Sequence, residues 1–270
     1  MSELSLSENL VTLAIEQGIA VVTLNRPEKH NALSLAMFQS IDKVIKQIKI
    51  NRKVRVVIVT GAGESFCSGL DVKSMMGSKG SGLKLLWKWL PGNANLAQRV
   101  SIGWRRLNVP VIMALHGKCW GGGMQIALGG DFRIAAADSA LSIMESRWGL
   151  IPDMGGTPAL LECVAGDQAM KLAMTSEIID AAQALSIGLI TQISDTPLQA
   201  AKVLAQQLLE RSPDTNRAIK HVYHKIWSVN ERKILAKETI NQIKILRGKN
   251  QRIAVKRAQG HSDIEFKLRG

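Results

Sequence analysis

The sequence predicts an α/β fold with parallel strand pairing, on two observations. Short β-branched apolar runs recur at 18–24, 54–60 and 109–115. Between the first two, the apolar residues keep a helical period. A strand, a helix and a second strand in that order pair in parallel through a crossover.

The elements follow in chain order. Gly18 to Leu24 reads as a strand closed by the turn Asn25-Arg26-Pro27. Ser34 has the character of an N-cap, and Met37, Ile41, Val44, Ile45 and Ile48 give the stretch 36–50 the 3.6 period of a helix. Val54 to Thr60 is a second strand, closed by Gly61-Ala62-Gly63, and Val109 to Leu115 a third, closed by Gly117. From 75 to 91 glycine and serine crowd before Leu85-Leu86-Trp87-Lys88-Trp89-Leu90. This reads as a loop entering an apolar helix, either a wall for an apolar substrate or ordinary core. From about 197 the pattern is almost wholly helical. The chain therefore divides into a core over 1–196 and a helical region over 197–270.

With 46% hydrophobic residues in 270 and a mean hydropathy of +0.05, the chain can bury a sizeable core and lacks a disorder-type composition. No apolar run reaches the ~20 residues that span a bilayer. The start Met1-Ser2-Glu3-Leu4-Ser5 has no basic segment followed by an apolar one, so a cytoplasmic location is expected. Cys67, Cys119 and Cys163 are scattered, without metal spacing, and read as reduced thiols. Residues 201–270 carry 16 Lys and Arg against 6 Asp and Glu, ten of the net +13. A solvated helical face, a nucleic-acid patch or a site for a phosphate-bearing ligand would each account for that charge. No recognised nucleic-acid motif accompanies it.

Three familiar signatures fail. Gly61-Ala62-Gly63-Glu64-Ser65-Phe66 has Phe where a dinucleotide fingerprint needs glycine, and Gly77 to Gly82 is followed by Leu83 where a P-loop needs lysine. Gly63-Glu64-Ser65-Phe66-Cys67 is one residue short of a nucleophile elbow. His116, before Gly117, reads as a packed or capping histidine. No metal site is expected. Two glycine turns survive: Phe66-Cys67-Ser68-Gly69-Leu70-Asp71 after the second strand, and Trp120-Gly121-Gly122-Gly123-Met124-Gln125 after the third. Three glycines opening a helix let a ligand reach free N–H groups at the positive end of the dipole. Such a place suits an oxygen with developing negative charge.

Four ordered segments carry a resemblance. They are Asn25-Arg26-Pro27-Glu28-Lys29-His30-Asn31-Ala32-Leu33, Phe66 to Val72, Gly121 to Gln125, and Trp148-Gly149-Leu150-Ile151-Pro152-Asp153-Met154-Gly155-Gly156-Thr157. Over nearly its whole length the chain resembles the crotonase superfamily, the enoyl-CoA hydratase/isomerase enzymes. The resemblance implies a ββα spiral core, a C-terminal helical region that forms homotrimers or dimers of trimers, and a coenzyme A thioester as substrate, with no permanently bound cofactor. It implies an oxyanion hole made by the N–H groups of Leu70 and Gly122. Lys29, His30, Asn31 and Ala32 would lie along coenzyme A, and Ser68, Gly69, Leu70, Asp71, Val72, Lys73 and Gly121 would line the thioester.

Hydratases of the family use two glutamates. The matching positions hold Gln125 and Glu145, and an amide cannot take a proton from water. One carboxylate suffices to move a double bond, so isomerisation with Glu145 as proton shuttle is the preferred expectation. Asp153 stands where dienoyl-CoA isomerases of the family carry Asp, and is a further candidate, or a carboxylate capping a loop. Two alternatives stay open: a hydratase that tolerates Gln125, and an RNA-associated binding module without turnover.

Overall fold

In the computed structural model, residues 10–72, 74, 85–87, 90, 92–227 and 231–266 are described. The Gly- and Ser-rich part of the 75–91 stretch, and Lys73, lie outside them.

Five consecutive neighbours of one six-stranded sheet are parallel. The strands are β1 (Val11–Glu16), β2 (Ile19–Leu24), β3 (Val56–Gly61), β4 (Val111–Leu115), β6 (Phe132–Ala135) and β8 (Gln192–Ile193), in the order β1-β2-β3-β4-β6-β8. Only β1 runs antiparallel, to β2. It went unpredicted because its polar and exposed positions give it no buried run. The alternation within β2 and β3 explains their almost unbroken hydrophobicity. Ala20, Val22, Leu24, Val57 and Val59 face one core, and Ile19, Val56 and Ile58 face a second. A parallel sheet covered on both sides leaves no strand face for polar residues.

Helix α1 (Leu35–Ile50) begins one residue earlier than the period alone indicates, because the Ser34 hydroxyl accepts from the Met37 N–H and caps it. It packs with α2 (Leu96–Arg105) over the first core, and Arg99 pins the two together through a two-point contact with Asp42. The short α3 (Gly122–Leu128) follows the triple-glycine turn and is wholly buried. After it come α4 (Thr157–Cys163), α5 (Gly166–Thr175) and α6 (Ala181–Ser186). The last part of the described chain is α7 (Pro197–Leu209), α8 (Pro213–Trp227), α9 (Glu231–Arg247) and α10 (Lys249–Ala258), as its composition predicts. Helix α7 covers the second core with Ala201 and Ala205. No helix of the described residues is long and apolar enough to cross a membrane.

A cavity of about 320 Å³ lies between β6, α4 and α8, lined among others by Arg105, Asp131, Arg133, Glu162, Lys220 and His224. Both of its carboxylates are paired with cations, and Arg133 donates to the Leu189 and Gly130 carbonyls. Lys220 Nζ lies 2.8 Å from Asp131 Oδ2 and donates to the carbonyls of Trp104 and Val109; His224 Nε2 lies 2.9 Å from Asp131 Oδ1, and Arg105 bonds Glu162. Burial raises the proton affinity of the Asp131 carboxyl, but Lys220 and His224 more than offset it and hold its pKa below the usual range. Removing one partner strands a buried charge. Lys220→Met is therefore expected to cost about 3–5 kcal/mol of stability, read from urea unfolding; an unchanged midpoint would refute this account of the cluster.

Candidate active site

A second, smaller sheet brings the two glycine turns together. Strands β5 (Lys118–Trp120) and β7 (Ala140–Ser142) pair in parallel, and the segment 66–70 adds to the other edge of β5. Phe66 N–H donates to the His116 carbonyl, Cys67 N–H to that of Lys118, and Trp120 N–H to that of Cys67. On its far side the same segment joins 30–33. Ser68 N–H donates to His30, Leu33 N–H to Gly69, and Asp71 N–H to Leu33. Two of the four segments quoted from the sequence thus form one ladder with β5, and a third, 121–125, follows directly from the end of that strand.

Gly69 sits at the junction with φ +93°, where a Cβ would come within 2.8 Å of the Trp120 carbonyl oxygen and 3.4 Å of the Gly122 nitrogen. Only glycine lets the Leu70 turn lie against the start of α3. Among the described residues no hydrogen bond engages the N–H of either Leu70 or Gly122. Gly122 is the first residue of its helix, where an N–H has no intrahelical acceptor.

The 30–33 and 66–72 segments are held by side chains. Asn31 is fully buried; its Oδ1 accepts from Arg26 N–H, and its Nδ2 donates to the carbonyls of Ala62 and Ser65. Arg26 donates to the Ala32 carbonyl and lies 2.7 Å from Asp71 Oδ2. Burial acts to raise the Asp71 pKa, but the Arg26 contact prevails and keeps it below the usual carboxylate range. The His30 ring lies 3.1 Å from the Ser65 hydroxyl, and the Ser68 hydroxyl donates to the Lys29 carbonyl. Asn31 and Asp71 thus spend their polar atoms on the loops themselves.

Glu145 begins a 3-10 turn at 145–148 and reaches back to the triple-glycine turn, where a Cβ on Gly121 would lie 3.8 Å from its Oε1. Gln125, 1% exposed on α3, donates through Nε2 to Glu145 Oε1 at 3.1 Å, while its own Oε1 accepts from Gly156 N–H at 2.9 Å. That N–H fixes which end of the amide faces Glu145. Glu145 Oε2 is withdrawn from solvent and has no hydrogen-bond partner among the described residues. Burial is the largest influence on this carboxyl; it outweighs the Gln125 hydrogen bond and the backbone N–H groups of Glu145 and Met144 and raises the pKa, with the charge of Glu238 adding to the rise. Asp153 lies half-buried in the loop between the 3-10 turn and α4, next to Met154, whose sulfur would be 3.0 Å from a Cβ on Gly122.

The cysteines play no nucleophilic part in this arrangement. All three are free thiols, and burial pushes Cys67 up to about 12, far from the thiolate form that a nucleophile needs. Among the described residues no three His, Cys, Asp or Glu side chains converge as a metal site.

Sequence reasoning missed one part of the site. Helix α9 buries Leu235, Glu238, Thr239 and Gln242, all on one face and three of them polar. Glu238 Oε2 accepts from Gly155 N–H at 3.1 Å and from Gln98 at 3.0 Å, and Gln242 Oε1 accepts from Ile151 N–H at 3.1 Å. In sequence these residues look like the solvated face of a basic helix.

The family model described as enoyl-CoA hydratase/isomerase matches residues 14–260. The chain is 35% identical to the short-chain-enoyl-CoA hydratase of Clostridium acetobutylicum, over 76% of this chain and 77% of that protein. It is 34% identical to the 1,2-epoxyphenylacetyl-CoA isomerase of Escherichia coli, over 72% of this chain and 75% of that one. A crystal structure of an enoyl-CoA hydratase from Mycobacterium avium superposes with a TM-score of 0.73 at 29% identity, covering 88% of this chain and 97% of that one. This fold, these paired glycine turns and these matches place the chain in the enoyl-CoA hydratase/isomerase family, the crotonase family, whose members act on coenzyme A thioesters.

Proposed function

We propose that this protein is an enoyl-CoA isomerase, moving a double bond along the acyl chain of a coenzyme A thioester with Glu145 as its single proton shuttle. The carrying observation is the state of Glu145: one carboxylate oxygen is held by Gln125, and the other is buried and unpartnered beside the Gly121 turn. A carboxylate whose proton affinity burial has raised is a stronger base, matched to an α-proton that a thioester renders weakly acidic.

The step balances with one group. Glu145 takes a proton from C2 of a 3-enoyl thioester, and the electron pair moves onto the carbonyl oxygen. Leu70 and Gly122 N–H groups receive that oxygen, and losing one such donor typically costs ~3 kcal/mol. The carbonyl then re-forms, the C1=C2 pair of the enolate moves to C2=C3, and the C3=C4 pair takes the proton back from Glu145 at C4. Lys29, His30 and Ala32 line coenzyme A on this reading, and Asn31, fully buried, holds their loop from behind. Ser68, Gly69, Asp71, Val72 and Gly121 border the thioester, largely through backbone, and Asp153 lies in the loop before α4. Helices α7 to α10 carry the contacts of a homotrimer or a dimer of trimers. Parallel assays of 3-enoyl and 2-enoyl thioesters test the reading: consumption of the first to give the 2-enoyl product is expected, and hydration of the second alone would refute it.

The kinship with a protein named as a hydratase favours a second reading, hydration in spite of Gln125. Gln125→Glu separates the two. It places a second carboxylate 3.1 Å from the first, so the pair shares a proton and Glu145 becomes harder to ionise. An isomerase then slows at neutral pH, with the acid limb of its rate profile moved to higher pH. A hydratase instead gains activity sharply, from the water-activating group it had lacked.

A further inference from the structure

We propose that Glu238, on α9, is a positioning residue of the proton-transfer site: through the paired N–H groups of Gly155 and Gly156 it sets the amide of Gln125, and with it the carboxylate of Glu145. The inference rests on the reading of Glu145 as the base.

The connection is continuous. Glu238 Oε2 accepts from Gly155 N–H, and the next residue, Gly156, donates its N–H to Gln125 Oε1. The Gln125 amide then turns its Nε2 to Glu145 Oε1. The pair 155–156 has little choice of pose. Gly155 adopts φ +81°, and a Cβ on Gly156 would come within 2.5 Å of Gln125 Oε1. Glu238 is itself fixed from two sides. Gln98 donates to its Oε2 and to the Leu235 carbonyl, while the Asn95–Gln98 capping box holds Gln98 at the start of α2. Gln242, one turn further along α9, holds the same loop by Ile151. A helix that buries Glu238, Thr239 and Gln242 on one face is specified by hydrogen bonds to that loop rather than by apolar packing.

Glu238 also supplies the charge that faces Glu145 from a neighbouring element. From α3 comes only the neutral Gln125. The 3-10 turn carries Arg147, the loop behind it carries Asp153, and the helices packed against the turn carry Asp167 and Lys171 on α5 and Lys249, Arg252 and Lys256 on α10. None of these is among the main influences on the Glu145 carboxyl. Removing the negative charge at 238 therefore makes Glu145 easier to ionise.

The test titrates Glu145 by carboxyl-carbon NMR in the unliganded full chain, with Glu145→Gln to assign the signal, alongside the pH profile of kcat/KM for 3-enoyl thioester. Glu238→Gln keeps an oxygen for Gly155 N–H but loses the charge. The midpoint of Glu145 and the acid limb of the profile should both move to lower pH, with the plateau rate close to the parent's. Glu238→Ala also loses the acceptor, and kcat should fall about tenfold to a hundredfold with KM little changed. Unmoved titration and limb in Glu238→Gln would overturn the proposal, as would a Glu238→Gln chain that fails to fold, since Glu238 would then be a folding determinant. The NMR arm needs no substrate. A shifted midpoint without 3-enoyl turnover would therefore sink the isomerase reading alone, and an unmoved midpoint in an active isomerase would sink this inference alone.

Discussion

Glu145→Gln is expected to lower kcat for double-bond migration by about 10³-fold while leaving the protein folded and, above neutral pH, more stable than its parent. Both halves follow from the same environment. The carboxyl is buried with one oxygen unpartnered, so its ionised form is held at a cost. Its pKa in the folded chain lies above that in the unfolded chain. At low pH neither state is ionised and Glu145 costs nothing. As pH rises from the ordinary carboxylate value through the raised one, the unfolded chain ionises first, and stability declines. Above that window the whole penalty is present, so the amide, which carries no charge, gains most there and nothing at acid pH. Thermal melts at acid and alkaline pH, beside rates on 3-enoyl thioester, check this. A variant that keeps a tenth of the rate, or loses stability at every pH, would contradict the assignment of Glu145.

Gly69→Ala should cost roughly 10² to 10³-fold in kcat, the scale of losing one oxyanion donor, in a protein that remains largely folded. The added methyl meets the Trp120 carbonyl oxygen at 2.8 Å and must hold φ at +93°, a strain of about 1–3 kcal/mol. Parting the Leu70 turn from the start of α3 relieves it, and on the proposed reading that separation is what aligns the two donors. Substrate affinity should change far less than rate, because the charge on the oxygen develops in the transition state. Kinetics with a matched set of acyl thioesters, and near-UV circular dichroism for the fold, measure both. Equal losses in kcat and affinity would place Gly69 in ground-state binding instead.

The legibility of the site in the sequence was uneven, for physical reasons. Strands β2, β3 and β4 and helix α1 announce themselves, because a doubly covered sheet demands unbroken apolar runs and a capped amphipathic helix keeps its period. Strand β1, half exposed at the sheet edge, has no such signature. The glycine turns were readable because close backbone approach admits one residue type, and Gly69 and Gly121 both adopt positive φ. The family resemblance located Glu145 and Gln125, but not their contact. Two residues 20 apart reveal no hydrogen bond until Gly156 is seen to orient the amide between them. Glu238 was the least legible. A glutamate on a lysine-rich helix looks solvated, and only the docking of α9 on the 149–156 loop shows that its face is buried.

The central claim is that one carboxylate both removes and returns the proton. Single-turnover conversion of a 3-enoyl thioester deuterated at C2, followed by NMR, tests it most directly. Deuterium appearing at C4 of the 2-enoyl product above the level set by solvent exchange is the predicted result, with Glu145→Gln slowing the conversion by about 10³-fold. Hydration of the 2-enoyl thioester with the deuterated 3-enoyl compound left unconsumed would contradict it.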